Sequence, residues 1–241
     1  MHYGHECYIN NDMKPIDYNF LRKFYASESM ERVSREIAHR LNKILPLEKT
    51  LAIGFHANFL DFLDANKVHC AVADPAETVI HRLSGQPLST VVFNDCASRI
   101  ASGSWNAILV AHYLEFFRKN DDFLWELFRI LKNNGKLVVI FANKKRINAL
   151  HPSDSIVKNV KLSPSDMISS LTAAAFEINS ISGVNEKFNF WPHSFSYNLN
   201  RYNEVFIRFF PLFSDVILMV ARKSALIPEA IINLEEQYGI T

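Results

Sequence analysis

The sequence predicts an α/β fold, a doubly wound and mostly parallel sheet with helices on both faces. Three observations lead there. Short apolar runs recur along the chain, as KTLAIG (49–54), VHCAVAD (68–74), STVVFND (89–95), Ala107 to Ala111 and KLVVIFA (136–142). Runs without polar alternation are strands covered on both sides. Helical segments separate them, and strand–helix–strand order closes into a parallel sheet through right-handed crossovers. Finally, 241 residues at 49% hydrophobic can enclose one sizeable core, or at most two small ones.

Residues 16 to 45 read as the first helix. From Met30 the apolar positions Val33, Ile37, Leu41 and Ile44 recur at three or four residues, with Glu31, Arg32, Arg35 and Glu36 between them. The first strand, 49–54, ends at Gly54, and Ala57 to Asp64 can form a helix after it. The second strand, 68–74, leads into a helix over 75–83 opened by Pro75 in its first turn. After the third and fourth strands, Asp121 to Lys132 reads as a helix with Leu124, Leu127, Phe128 and Leu131 in one stripe. Asn134-Gly135 then supplies a tight turn before the fifth strand.

The last third changes character. Ser163-Pro164-Ser165-Asp166 is a helix start, with an N-cap serine, proline at the first position and an acid in the first turn, leading through Leu171 to Ala175. FEINSISG (176–183) reads as a sixth strand and VILMVAR (216–222) as a seventh. Between them, Phe188 to Phe210 is rich in aromatics. The organisation predicted is an N-terminal helical cap (1–45), a single α/β domain (46–225) with an aromatic insertion (186–212), and a C-terminal tail (226–241).

Charge and cysteine usage exclude several classes. Twenty-six Lys and Arg nearly balance 25 Asp and Glu, which is not the footprint of a nucleic-acid binder. Lys144, Lys145 and Arg146 form a short basic run that a solvated surface explains. Cys7, Cys70 and Cys96 are odd in number and widely spaced, as reduced thiols are. His2, His5 and Cys7 lack zinc-site spacing, so no metal is expected. The N-terminal MHYGHECYINNDMKP has no apolar centre for a signal peptide, and WNAILVAHYLEFF (105–117) is too short to span a membrane. These features predict a cytoplasmic protein without nucleic-acid or membrane partners.

The segment WNAILVAHYLEFFRKNDDFLWELFRILKNNGKLVVIFAN (105–143) carries a resemblance. It is similar to the run in class I S-adenosylmethionine-dependent methyltransferases, of the small-molecule group often called type 11, from an apolar strand through an "HxLE" turn and a helix ending in "RxLKxGGxL" to a strand ending in Pro-Asn. Here the counterparts are His112-Tyr113-Leu114-Glu115, Arg129 to Leu137, and Ala142-Asn143. Similarity is traceable over roughly residues 45 to 145, and element order carries it to about 222. The resemblance implies a seven-stranded Rossmann-like sheet whose last strand is antiparallel. It also implies S-adenosylmethionine as cofactor and a small-molecule methyl acceptor.

The same resemblance assigns site residues and shows a departure. The family's first strand ends in Asp followed by Gly-x-Gly-x-Gly; the matching positions here are Ala52, Gly54, His56 and Asn58, so one glycine of three is kept. Gly54, Phe55, His56, Asp74, Asn94, Asp95, Ala111 and His112 are the expected cofactor-binding residues. Asp74, ending the second strand, would accept both ribose hydroxyls, and Asp95, with Asn94 beside it, would take the adenine amino group. His112 is the candidate base. Tyr25, Asn143, Trp191 and His193 are the candidate substrate-pocket residues, with the first-helix aromatics Phe20 and Phe24 on the same footing. The alternative is a non-catalytic module of the same fold, because side chains replace two close-approach glycines. A nicotinamide-dependent oxidoreductase ranks last, since positions 54, 56 and 59 are Gly, His and Phe rather than glycines.

Overall fold

The computed structural model describes residues 28–45, 49–54, 70–74, 89–92, 100–114, 121–144, 162–184 and 210–224. Helix α1 (Glu28–Ile44) precedes β1 (Thr50–Gly54), β2 (Cys70–Asp74), β3 (Ser89–Val92) and β4 (Trp105–Ala111). Then follow α2 (Asp121–Ile130), β5 (Leu131–Ala142), α3 (Pro164–Ala173), β6 (Phe176–Val184), a 3-10 turn (Pro211–Phe213) and β7 (Val216–Lys223). The strands form one sheet in the order β3-β2-β1-β4-β5-β7-β6. Pairings from β3 through to β5 are parallel, while β7 runs antiparallel to both β5 and β6. The expected helices over 57–64 and 75–83, and the tail, lie outside the described residues.

The apolar runs are buried because the central strands have no exposed side. Leu51, Ile53, Ile108, Val110, Leu137, Val139, Phe141, Ile217 and Met219 point into one cluster, joined by Leu124, Leu127 and Ile130 of α2 and Met167 and Leu171 of α3. Removing one such side chain from water stabilises the fold by about 1.5–3 kcal/mol. The intervening residues Ala52, Leu109, Val138, Ile140, Leu218 and Val220 are equally buried and belong to the opposite register. Helix α1 buries Val33, Ile37, Ala38 and Leu41, with Leu45 just beyond its end. Its covered face thus steps by four residues to Leu45, and Ile44, expected in the stripe, is only half-buried.

The fourth strand begins at Trp105, two residues before the expected Ala107, and α3 ends at Ala173, two before Ala175; two further boundaries differ for one shared reason. Helix α2 stops at Ile130 and not at Lys132, and β5 begins at Leu131 and not at Lys136. The amides of Gly103 and Ser104 donate to the carbonyls of Arg129 and Ile130 at 3.0 and 2.9 Å, so the helix end is tied to the approach to β4. Leu131 consequently pairs with Trp105, and the next pair is Lys136 with Ala107. The intervening residues loop out, with Asn134 in a left-handed conformation (φ 61°). The Asn-Gly turn is present, but inside an extended strand.

Arg129 fixes this junction. Its guanidinium donates to both carboxylate oxygens of Glu126 (2.6 and 2.7 Å), to Ser102 Oγ (2.7 Å) and to the Ile100 carbonyl (2.7 Å). The hydrogen bond to Glu126 holds its pKa above the usual arginine value. Helix α3 starts as its sequence dictates. Ser163 Oγ accepts from the Asp166 amide, and Asp166 accepts from the Ser163 amide, a reciprocal capping box with Pro164 in the first turn.

Candidate functional site

In an open parallel sheet, ligands bind beyond the carboxyl ends of the strands, where the strand order reverses. Here the reversal falls between β1 and β4, which lead away in opposite directions along the sheet. Register aligns the strand ends there. Gly54 pairs with Ala111, Ala111 with Ile140, and Asp74 with Val92, while Ile53 pairs with Ala73 one step below. Asp74, Gly54 and Ala111 therefore end three adjacent strands at one level, and His112 follows directly. The sequence reading drew these four from three separate stretches, and the sheet brings them together.

Gly54 has a structural reason to be glycine. Its φ is +96°, and a Cβ there would lie 2.2 Å from the Ala111 carbonyl oxygen and 3.1 Å from Tyr113 Cβ. The end of β4 thus crosses against the end of β1 with no room for a side chain. The constraint comes from this chain's own backbone, before any ligand is considered.

His112 is fully buried, and its amide donates to the Ile140 carbonyl at 2.8 Å, extending the β4–β5 ladder by one bond. Its backbone is nevertheless left-handed, with φ 49°. That conformation costs a non-glycine residue about 1–2 kcal/mol, and strain of this kind concentrates at functional sites. The two residues after His112 in the HxLE-like segment are core. Tyr113 and Leu114 are buried, and the Tyr113 ring packs on Phe123 with centroids 5.1 Å apart.

Asn143 lies at the end of β5 and is 1% exposed. Its side-chain amide donates to the carbonyls of Leu212 (2.9 Å) and Ser214 (3.0 Å), and its backbone amide donates to Asp215 (2.9 Å). This expected pocket residue clamps β5 to the turn before β7. Beside it, Gly183 of β6 faces Ser214 so closely that a Cβ would overlap Ser214 Oγ. That hydroxyl is buried with no hydrogen-bond partner.

Phe55, His56, Asn58, Asn94, Asp95 and Glu115 lie outside the described residues, as do Tyr25, Trp191, His193 and the 188–209 aromatics. Sequence reasoning missed Tyr113, Phe123 and the Gly183–Ser214 contact. Tyr113 stood inside the quoted 105–143 segment, but only its tertiary partner gives it a role. Among the described residues no group of His, Cys, Asp and Glu could hold a metal ion. No described helix is long and apolar enough to cross a membrane.

No family model and no curated protein matches this sequence. Solved structures do match. A protein from Thermotoga maritima described as a SAM-dependent methyltransferase, possible histamine N-methyltransferase, has a TM-score of 0.62 at 14% identity, covering 86% of this chain and 96% of its own. A SAM-dependent methyltransferase from Archaeoglobus fulgidus scores 0.58 at 16% identity, covering 86% and 100%. A Haloferax volcanii protein solved in complex with the Trm112 methyltransferase activator scores 0.57 at 14% identity, covering 83% and 96%. The fold is that of class I S-adenosylmethionine-dependent methyltransferases.

Proposed function

We propose that the protein is an S-adenosylmethionine-dependent methyltransferase that acts on a small molecule in the cytoplasm. The observation that carries this reading is the alignment of Asp74, Gly54 and Ala111 at the strand-order reversal, with a strained and buried His112 next in line. The donor set suits the cofactor. A carboxylate ending β2 is the group that can accept two adjacent ribose hydroxyls. The cofactor would supply a methyl group on a sulfonium, which the acceptor would attack in line with the departing thioether, leaving S-adenosylhomocysteine.

The chain's own part is to bind and orient, since positioning donor and acceptor supplies most of what such a displacement needs. Gly54, Phe55, His56, Asp74, Asn94, Asp95, Ala111 and His112 line the cofactor in this reading. His112 takes the acceptor proton where the acceptor is a hydroxyl or amine. Tyr25, Trp191 and His193 flank the substrate, and Asn143 shapes that end of the pocket through its clamp on Leu212 and Ser214. Residues 1–45 form the cap, 46–225 the α/β domain with the 186–212 insertion, and 226–241 the tail. Helices on both faces complete the doubly wound layer, supported by buried side chains in both registers of the strands.

A second reading is a non-catalytic interaction module. Gly54 favours it, because this glycine is required by the Ala111 carbonyl whether or not a cofactor binds. Isothermal titration with S-adenosylmethionine and S-adenosylhomocysteine separates the two. Binding of either supports the enzyme; no heat from either at millimolar concentration sinks it and favours the module.

A further inference from the structure

Four non-glycine residues among those described have left-handed backbones: Lys49, His112, Asn134 and Ala175. Three have local explanations at the amino ends of strands. Lys49 is exposed and leads into β1, Asn134 is exposed in the looped-out turn of β5, and Ala175 directly follows the C-cap residue of α3. His112 shares none of this. It lies at the carboxyl end of the sheet, and its side chain is fully buried.

An unfavourable backbone conformation persists only where its surroundings over-determine it. Two anchors flank this one. The His112 amide is tied to the Ile140 carbonyl, which fixes where the residue begins. The next side chain, Tyr113, is held against Phe123 in the first turn of α2, ring planes at 36°, which fixes where the chain goes next. Gly54 completes the arrangement, since its missing side chain leaves space for both the Ala111 carbonyl and Tyr113 Cβ.

We propose that Tyr113 is a positioning residue: its ring, held on Phe123, keeps His112 in the left-handed conformation and so fixes the imidazole at the β1–β4 reversal. Tyr113 is 4% exposed and packed in the core, so it acts through its neighbour. Its effect on ligand binding rests on the methyltransferase reading; its effect on the imidazole does not.

The test uses the full chain labelled with nitrogen-15 histidine, with the His112 imidazole signal assigned by its loss in His112→Gln. Wild type, Tyr113→Phe, Tyr113→Leu and Phe123→Leu are compared without ligand and with S-adenosylhomocysteine, and thermal melting checks the fold. Tyr113→Phe should match wild type. Tyr113→Leu and Phe123→Leu should melt cooperatively, shift the imidazole signal, and weaken ligand binding by about tenfold, the size of one well-placed ring contact. An unmoved imidazole signal in the folded ringless variants overturns the proposal. Should Tyr113→Leu fail to fold, Phe123→Leu decides, because Phe123 is only half-buried. If wild type binds no ligand, the methyltransferase reading falls, and the ligand-free imidazole signal still decides the role of Tyr113.

Discussion

The two ends of the sheet are built differently. At the amino end of the parallel strands, three cations find partners within the chain: Arg129 reaches Glu126, Ser102 and Ile100, Lys136 donates to the Ile44 carbonyl, and Lys223 donates to the Leu131 carbonyl while lying over the Phe128 ring, whereas Ser104 Oγ and the Trp105 indole nitrogen are buried without one. Burial pushes the Lys223 ammonium below its ordinary pKa, and the ring face and the carbonyl offset part of that cost. At the carboxyl end, a glycine is pressed against a carbonyl and a buried histidine is held in a strained conformation. Left-handed residues occur at the amino end too, at Lys49, Asn134 and Ala175, but at a strand entry, an exposed turn and a helix end. At the carboxyl end the left-handed residue, His112, is fully buried and directly follows the end of β4, the side on which open parallel sheets bind ligands.

Gly54→Ala should produce the largest effect and strike the carboxyl end directly. A Cβ 2.2 Å from the Ala111 oxygen must displace backbone, and φ +96° is strained for any alanine. Together these should cost about 3 kcal/mol or more, read as a fall in urea midpoint at constant slope. A variant as stable as wild type would mean that the β1–β4 crossing has room to spare, and the contrast between the two ends would lose its steric basis.

Asp74→Ala tests the same end through ligand rather than fold. If Asp74 holds the ribose, cofactor affinity should fall by about 1.5–3 kcal/mol, the range for hydrogen bonds to a charged group, with the urea midpoint nearly unchanged. Titration calorimetry reads the first quantity and denaturation the second. Unchanged affinity would show that the ribose is held elsewhere.

Arg129→Met should do the reverse at the amino end. It removes a bidentate ion pair, a hydroxyl contact and a carbonyl contact while keeping the aliphatic stem. The arginine is partly exposed, so the loss should be about 1–2 kcal/mol of stability, with cofactor affinity unchanged. An affinity change without a stability change would mean that the amino end is coupled to the site.

What was legible in the sequence follows the range of the forces involved. Strands whose every residue is apolar, such as Leu51 to Ile53 and Leu137 to Phe141, declare themselves because burial on both faces demands it. The Ser163–Asp166 capping box is legible because its partners are three residues apart. The end of α2 was not, because the amides that take its last carbonyls come from Gly103 and Ser104, distant in sequence. The same holds at the site. Asp74 and Gly54 read as strand ends, but the strain at His112 depends on Ile140 and on the Tyr113–Phe123 contact, which no local pattern announces. Asn143 read as a pocket residue from its place after β5, and only the fold shows its amide bound to the carbonyls of Leu212 and Ser214.

The smallest expected effect is that of strain without collision. Gly103, at the amino end, also has a positive φ, of +60°, but a Cβ there would meet nothing within 4 Å. Gly103→Ala therefore adds backbone strain without collision, and should cost about 1 kcal/mol by urea denaturation. The difference between Gly54→Ala and Gly103→Ala then reads the close approach of β4 to β1 together with the wider departure of φ +96° from the left-handed region. Equal losses would reduce both glycines to conformational devices. A clearly larger loss at Gly54 would show that the carboxyl end is packed tightly enough to hold a neighbouring residue such as His112 off its preferred conformation.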